Sequence, residues 1–143
     1  MTKGILVQYC DLQEEVKDIR KRIDNLERQI EKIEEEGSVI DSVKGGIGGI
    51  EHFKITGFPY PEYSRKKTRL HLNRAQLENT EFELLETLGS VEDYIQSIED
   101  SRIRRILRLR YVDNFTWVKV AMNMGGSATD ESVRKEHDRF LVK

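Results

Sequence analysis

The clearest pattern in the chain is a run of apolar residues near the N-terminus, spaced alternately four and three residues apart. This spacing is the heptad repeat of a helix that buries one narrow apolar seam. It predicts a long coiled-coil helix over residues 5–36, with Gly37 as the residue that follows its C-terminus. The seam residues are Leu12, Val16, Ile19, Ile23, Leu26, Ile30 and Ile33.

The charges that flank this seam fit a partner helix. In a parallel homodimer, Glu15 of one helix faces Arg20 of the other, and Arg22 faces Glu27, so that both pairs attract. The alternative is that the seam packs against a second helix of the same chain. The sequence leaves both alternatives open, and we expect a homodimer or an intrachain hairpin.

A second heptad pattern follows in the middle of the chain. It predicts another long helix over residues 65–100, with Gly89 and Ser90 as a point where this helix bends or splits. Two such helices joined by a loop would form a hairpin about 50 Å long, at roughly 1.5 Å per residue. The residues that recur every seven positions are Leu70, Leu77, Leu84, Val91 and Ile98.

The segment between the two helices, residues 37–64, has no helical period. It holds both prolines and six of the ten glycines. Apolar residues alternate at Val39 and Val43, and again at Phe53 and Ile55, which is compatible with a short β-hairpin whose tip is glycine-rich. The alternative is a flexible link. A phosphate-binding loop is excluded, because no Gly-Lys-Ser/Thr sequence is present.

The last third, residues 101–143, reads as three short helices. The first covers residues 101–111. Thr116 is a good N-cap for the second helix, which stops at Gly125 and Gly126. The third begins at Thr129 or Asp130. Two short helices joined by a glycine-containing turn are typical of a helix-turn-helix.

These patterns together predict an all-α fold, in which long coiled-coil helices precede a C-terminal three-helix domain of helix-turn-helix type. The predicted domains are residues 1–36 (first helix), 37–64 (linker), 65–100 (second helix) and 101–143 (helix-turn-helix domain). Charged residues make up 35% of the chain, against roughly 25% in an ordinary globular protein. Such a composition argues against a compact enzyme with a deep pocket.

The charges are unevenly distributed along the chain. Residues 1–64 carry a balance of −4, residues 65–100 a balance of −3 and residues 101–143 a balance of +5. A basic end on an acidic chain suggests a polyanion partner for that end, and a solvated helix face is the alternative. No apolar stretch is long enough to span a membrane. The single cysteine, Cys10, suits a reducing compartment, so we expect a cytoplasmic protein.

Residues 104–111 of this basic end resemble the "L-x-L-R-Y" helix that opens region four of bacterial sigma factors. Residues 115–125 resemble the next helix and its glycine turn, and residues 132–135 are similar to the "thr-val-arg" start of the recognition helix. Two departures stand out: Lys119 replaces an acidic residue, and the turn after Gly125 is longer than usual. No segment resembles sigma region two, which melts promoters.

The chain as a whole is similar to small sigma-like proteins of phages and prophages in low-GC Gram-positive bacteria, which resemble the ArpU and RinA late transcription regulators. Residues 41–45 and the pair Pro59 and Tyr60 match elements of that group. The resemblance implies a sequence-specific DNA-binding transcription regulator that acts on promoter DNA, with RNA polymerase as a further partner. A phage DNA-packaging recognition subunit and a non-enzymatic coiled-coil adaptor are the alternatives.

A helix-turn-helix inserts the first turns of its recognition helix into the major groove. Val133, His137 and Phe140 recur on one face and should point to the core. We predict that Arg134 reads a guanine edge and that Lys135 and Arg139 contact phosphates. The predicted DNA-binding residues are Thr129, Glu131, Ser132, Arg134, Lys135, Asp138 and Arg139.

Other chemistry has little support in the sequence. The histidines His52, His71 and His137 stand far apart, and none has a cysteine or a pair of carboxylates at ligand spacing. Cys10 has no histidine near it in sequence, which argues against a nucleophile. We therefore expect no metal, no cofactor and no enzymatic activity.

Overall fold

A computed structural model describes residues 3–44 and 58–142, and all regular secondary structure in these two ranges is helical. The predicted all-α class is confirmed. None of the helices in these ranges has an apolar stretch that could cross a membrane. In chain order the elements are α1 (Lys3–Lys44), α2 (Tyr60–Gln96), α3 (Ser101–Leu107), a π-helical turn (Arg108–Val112), α4 (Trp117–Met124) and α5 (Asp130–Val142).

The chain divides into two compact units, each with its own apolar core. The two-helix unit is Glu15–Glu81, and the terminal unit combines Met1–Glu14 with Phe82–Lys143. Helices α1 and α2 therefore contribute residues to both units, whereas α3, α4 and α5 belong to the terminal unit alone.

The predicted seam of α1 is buried at all seven positions. Within the two-helix unit, this burial comes from α2 of the same chain, which corresponds to the intrachain alternative. A homodimer through the same seam stays a prediction, and it would require α2 to leave the seam. The cluster that joins the two helices consists of Ile19, Ile23, Leu26, Ile30, Leu70, Tyr63 and Leu77.

Polar contacts between α1 and α2 flank this cluster. Arg20 pairs with Glu81, and the Arg74 guanidinium lies 2.7 Å from the Glu27 carboxylate. Arg20 and Glu27 are two of the residues that a parallel homodimer would use, and here both have partners on α2. The Tyr63 hydroxyl also donates a 2.7 Å hydrogen bond to Glu34.

The prediction that α1 ends before Gly37 is wrong, because the helix continues to Lys44. A glycine inside a helix costs only about 1 kcal/mol relative to alanine, and tertiary packing easily outweighs that. Gly37 is buried, and a Cβ atom at this position would overlap the Phe58 ring. The glycine therefore serves close packing rather than helix termination.

The extension of α1 also corrects the hairpin prediction for residues 37–64. Val39, Asp41 and Val43 lie within α1, so the first strand of that hairpin does not form. Phe53, Ile55 and the glycine run at 45–49 lie outside the described residues.

Helix α2 spans Tyr60–Gln96 rather than the predicted 65–100. It starts earlier because Pro61 stands in its first turn, where a missing N–H and a fixed φ favour helix initiation. It ends earlier because Asp100 caps α3, accepting a 2.9 Å hydrogen bond from the Arg102 N–H. Gly89 and Ser90 do not interrupt the helix.

The predicted helix over residues 101–111 is α-helical only to Leu107. Arg108–Val112 forms the π-helical turn, in which the Asp113 N–H donates to the Arg108 carbonyl at 2.9 Å. The next residue, Asn114, has a φ of 57°, a left-handed conformation that asparagine tolerates. A turn at Asp113–Asn114 thus separates the π-helical turn from α4.

Candidate nucleic-acid interface

Helix α3 lies between two apolar clusters of the terminal unit. Ile103 and Leu107 join a cluster with the start of α1 and the end of α2, which contains Leu6, Tyr9, Val91, Ile95 and Ile98. Ile106 joins a second cluster with α4 and α5, which contains Val120, Ala121 and Val133. Because α3 contributes to both clusters, it anchors the two C-terminal helices to the rest of the unit.

Both ends of α4 follow the predicted local rules. The Thr116 hydroxyl accepts a 3.3 Å hydrogen bond from the Lys119 N–H, which confirms the predicted N-cap. The helix ends at Gly125 and Gly126, whose φ angles of 75° and 63° are in the left-handed region that glycine adopts readily. The turn between α4 and α5 therefore depends on glycine.

At the start of α5, the backbone N–H groups of Thr129 and Ser132 are each hydrogen-bonded to the other residue's hydroxyl. The Ser132 N–H donates to the Thr129 hydroxyl at 3.1 Å, and the Thr129 N–H donates to the Ser132 hydroxyl at 2.9 Å. This is a reciprocal capping box, with Thr129 as the N-cap. The Ser132 hydroxyl also donates to the Thr129 carbonyl at 3.0 Å. These two predicted DNA-binding residues thus have a structural role that sequence reasoning did not assign to Ser132.

Helix α5 presents two distinct faces. Val133 is fully buried, His137 is 8% exposed, and Phe140 packs at the margin of the cluster that contains Leu107. The predicted inward face is confirmed. The other face is exposed and carries the remaining predicted site residues, namely Glu131, Arg134, Lys135, Asp138 and Arg139.

A hydrogen-bonded chain connects the buried and exposed faces of α5. The Tyr111 hydroxyl lies 2.6 Å from His137 Nε2, and His137 Nδ1 lies 2.8 Å from the Asp138 carboxylate. Burial raises the pKa of Tyr111 to about 12, so its hydroxyl keeps its proton. A carboxylate oxygen accepts, so His137 Nδ1–H donates to Asp138.

This chain changes the interpretation of Asp138. It was predicted as a simple outward contact, yet one of its oxygens is held by His137. The Trp117 ring also meets His137 edge-on, with 4.8 Å between ring centroids. The imidazole is thereby fixed on three sides, and it fixes the α5 backbone against the turn that carries Tyr111.

The arginines of α3 and the π-helical turn are bound within the chain. Arg102 makes two hydrogen bonds to the Glu136 carboxylate, at 2.8 and 2.9 Å. This hydrogen-bonded pair lowers the pKa of Glu136 and raises the pKa of Arg102. Arg105 donates to the Asn123 carbonyl at 3.2 Å, at the end of α4.

The other three arginines have similar partners. Arg104 donates to the carbonyls of Ile98 and Glu99, just beyond the end of α2. Arg108 donates to Gln96. Arg110 donates to the Phe115 carbonyl at 3.0 Å and lies over the Trp117 ring, 4.5 Å from its centroid. The basic balance of residues 101–143 predicted a polyanion partner for this end, and it did not reveal that these arginines have partners within the chain.

The cations of α5, in contrast to these arginines, are accessible. Arg134 and Arg139 are exposed and make no ion pair with any residue in the ranges that the structure describes. Lys135 lies 3.1 Å from Glu131, and both side chains are 65% exposed. Exposed pairs of this kind contribute about 0.3–0.5 kcal/mol, so that Lys135 can exchange Glu131 for a phosphate.

A shallow apolar depression adjoins the start of α5. Its rim includes Val118 and Met122 of α4, which are 57% and 75% exposed, and its floor includes Ala121 and Ala128. The sequence analysis did not single out these two exposed apolar residues. They form a surface that a sugar, a base methyl group or a protein side chain could contact.

Within residues 3–44 and 58–142, no three His, Cys, Asp or Glu side chains come together as a metal site would require. Cys10 is half-buried, and this burial raises the pKa of its thiol, which disfavours the reactive thiolate.

No family model matches the sequence, and no curated protein or solved structure is significantly similar to it. The resemblance to sigma region four therefore depends on the residues quoted above. The functional proposal therefore rests on the positions and contacts of residues in α3, α4 and α5.

Proposed function

We propose that this protein is a sequence-specific DNA-binding regulator of transcription, of the phage or prophage type, that inserts the start of α5 into the major groove. In this proposal α4, the glycine turn and α5 act as a helix-turn-helix. The observation that supports it best is the division of α5. Its inner face is anchored by Val133 and His137, and its outer face presents Arg134 and Arg139 without ion-pair partners in the described ranges.

The roles of the outer residues follow from their position on α5. Arg134 lies in the second turn of the helix, where recognition helices meet base edges, and its planar fork suits guanine. Lys135 and Arg139 are one turn apart, and we assign them to backbone phosphates. Thr129 and Ser132 fix the start of the helix through their capping box, while Glu131 and Asp138 exclude some bases by repulsion.

The experiment is DNA binding measured by fluorescence anisotropy over a salt series. Four to six phosphate contacts would give a slope of log Kobs against log salt of about −4 to −5. The variant Arg134→Ala/Lys135→Ala should reduce this slope. A matched control, Lys21→Ala/Lys32→Ala, removes the same charge from the exposed surface of α1 and should leave the slope unchanged.

The proposal is overturned if the two double variants bind DNA equally well, or if the wild-type chain shows no salt-dependent affinity. A protein partner would then be favoured, in line with the coiled-coil adaptor alternative. The exposed Val118 and Met122 are the observation that supports such a contact, with RNA polymerase as one candidate. Transcription and DNA packaging would be separated by testing promoter activity in the presence of the polymerase.

A further inference from the structure

The cations of α2 are concentrated in one short segment. All five of its lysines and arginines lie within residues 65–74, and no carboxylate lies among them. Residues 75–96 of the same helix contain acidic residues and no lysine or arginine. The net balance of −3 over residues 65–100 conceals this separation. A helix surface that is only solvated usually mixes the two signs, so the basic segment calls for a ligand.

Three of these five cations already have contacts in the two-helix unit. Lys66 donates to Gln29 at 2.7 Å and lies 3.7 Å from Glu62. Arg74 pairs with Glu27 on α1. The Lys67 ammonium lies 5.1 Å from the centroid of the Tyr63 ring.

The remaining two cations, Arg65 and Arg69, are exposed and have no ion-pair partner among the residues that the structure describes. They are four residues apart, so they occupy neighbouring positions on one helix face and repel each other. An anion placed between them would relieve that repulsion. The arrangement is therefore built for a negative ligand rather than for the stability of α2.

The surroundings of the two arginines show which kind of anion fits. They lie in a shallow groove along α2 whose other lining residues are Ser64, Thr68, Leu72 and Asn73. Hydroxyl, amide and guanidinium groups are the usual contacts to the phosphates of nucleic acids. Leu72 is 62% exposed and offers an apolar surface to a sugar. An open row of donors along a helix suits a polymer better than a small enclosed anion.

We propose that this groove of α2 is a second DNA-backbone site, with Arg65 and Arg69 on phosphates of double-stranded DNA. The site carries no groups arranged to read bases, so it contributes affinity without sequence preference. It deepens the proposed function, because it takes the same ligand as α5. Its residues belong to the two-helix unit, whereas the proposed helix-turn-helix belongs to the terminal unit.

The test is anisotropy with a fluorescein-labelled duplex of 30 base pairs and random sequence, over 50–300 mM salt. The variant Arg65→Ala/Arg69→Ala should make the slope of log Kobs against log salt shallower by about 1.8, and weaken binding by about tenfold or more at 50 mM salt. Lys21→Ala/Lys32→Ala is the matched control for net charge and should bind as the wild type does. Arg65→Lys/Arg69→Lys keeps the charges and should retain the wild-type slope, and far-UV circular dichroism checks that α2 is intact.

The inference is overturned if the Arg65/Arg69 variant keeps the wild-type slope, or if the control loses as much as that variant. Arg134→Ala/Lys135→Ala, measured on the same duplex, separates this inference from the proposed function. Loss in the α5 variant alone overturns the second site and leaves the helix-turn-helix proposal standing. Loss in the α2 variant alone overturns the helix-turn-helix proposal and leaves the second site standing. A chain that binds single-stranded RNA or acidic protein, and not the duplex, overturns both.

Discussion

Helices α3 and α5 are both rich in basic residues, yet they use them in different ways. Arg102 and Arg105 of α3 have defined partners inside the terminal unit, a carboxylate for the first and a main-chain carbonyl for the second. Arg134 and Arg139 of α5 are exposed, with no ion-pair partner in the described ranges. A count of basic residues, three in each helix, treats the two helices alike. Only the partner of each cation separates a structural arginine from one that remains accessible to a ligand.

The core position of α3 gives the largest expected effect. Leu107 is fully buried in the cluster that joins α3 to α1 and α2. Leu107→Ala should lower the free energy of unfolding by about 2–5 kcal/mol, because it leaves a cavity as well as removing apolar contacts. Urea denaturation followed by circular dichroism measures the change. Leu85→Ala is the matched control, since Leu85 is 67% exposed, and it should change stability by less than about 0.5 kcal/mol.

A substitution on the outward face of α5 should leave stability unchanged and alter DNA recognition. Arg134→Ala should leave the free energy of unfolding within about 0.5 kcal/mol of wild type, because the side chain is exposed. It should reduce discrimination between the preferred site and a site with that guanine replaced by about 1–3 kcal/mol. Selection from a random duplex library, followed by competition binding, measures this. A uniform loss for all sequences would contradict the base-reading role.

The Tyr111–His137–Asp138 chain links the two faces of α5. Removing one of its hydrogen bonds should change the free energy of unfolding by an intermediate amount. Tyr111→Phe removes one buried hydrogen bond and should lower stability by about 0.5–1.5 kcal/mol at neutral pH. The raised pKa of Tyr111, about 12, adds a pH signature. The unfolded tyrosine ionises first, near its ordinary value of roughly 10, so wild-type stability should fall between these two values. Denaturation from pH 9 to 12 should show this fall in wild type and a weaker one in Tyr111→Phe.

The smallest expected effect belongs to the ion pair that ties α3 to α5. The hydrogen bonds from Arg102 lower the pKa of Glu136, so the pair stabilises the folded chain above the ordinary glutamate pKa. That contribution is lost as the pH falls through the lowered value. Because Arg102 is about half-exposed, Glu136→Gln should cost less than about 1 kcal/mol at pH 7. The difference from wild type should shrink as the pH falls below the ordinary glutamate pKa and vanish once Glu136 is protonated, and a difference that persists beyond that point would contradict the electrostatic origin.

Short-range rules predicted several elements well. The alternating spacing of three and four residues identified the buried positions of α1, because a helix brings such residues onto one face. Thr116 was identified as an N-cap, and Gly125 and Gly126 as a helix end, since each depends on groups only a few residues away. The inward face of α5, marked by Val133 and His137, follows from the same periodicity.

The sequence by itself thus determined the helical class, the buried seam and the local starts and stops of the C-terminal helices. Only the tertiary structure decided what the seam packs against, because an apolar stripe does not specify its partner. It also decided that α1 continues past Gly37, since the Phe58 ring that lies on this glycine is distant in sequence. The tertiary structure likewise decided that Arg105 is bound within the chain, because its partner Asn123 lies on another helix. Partners of this kind become visible only when the chain is folded, and they determine which basic residues remain accessible to a ligand.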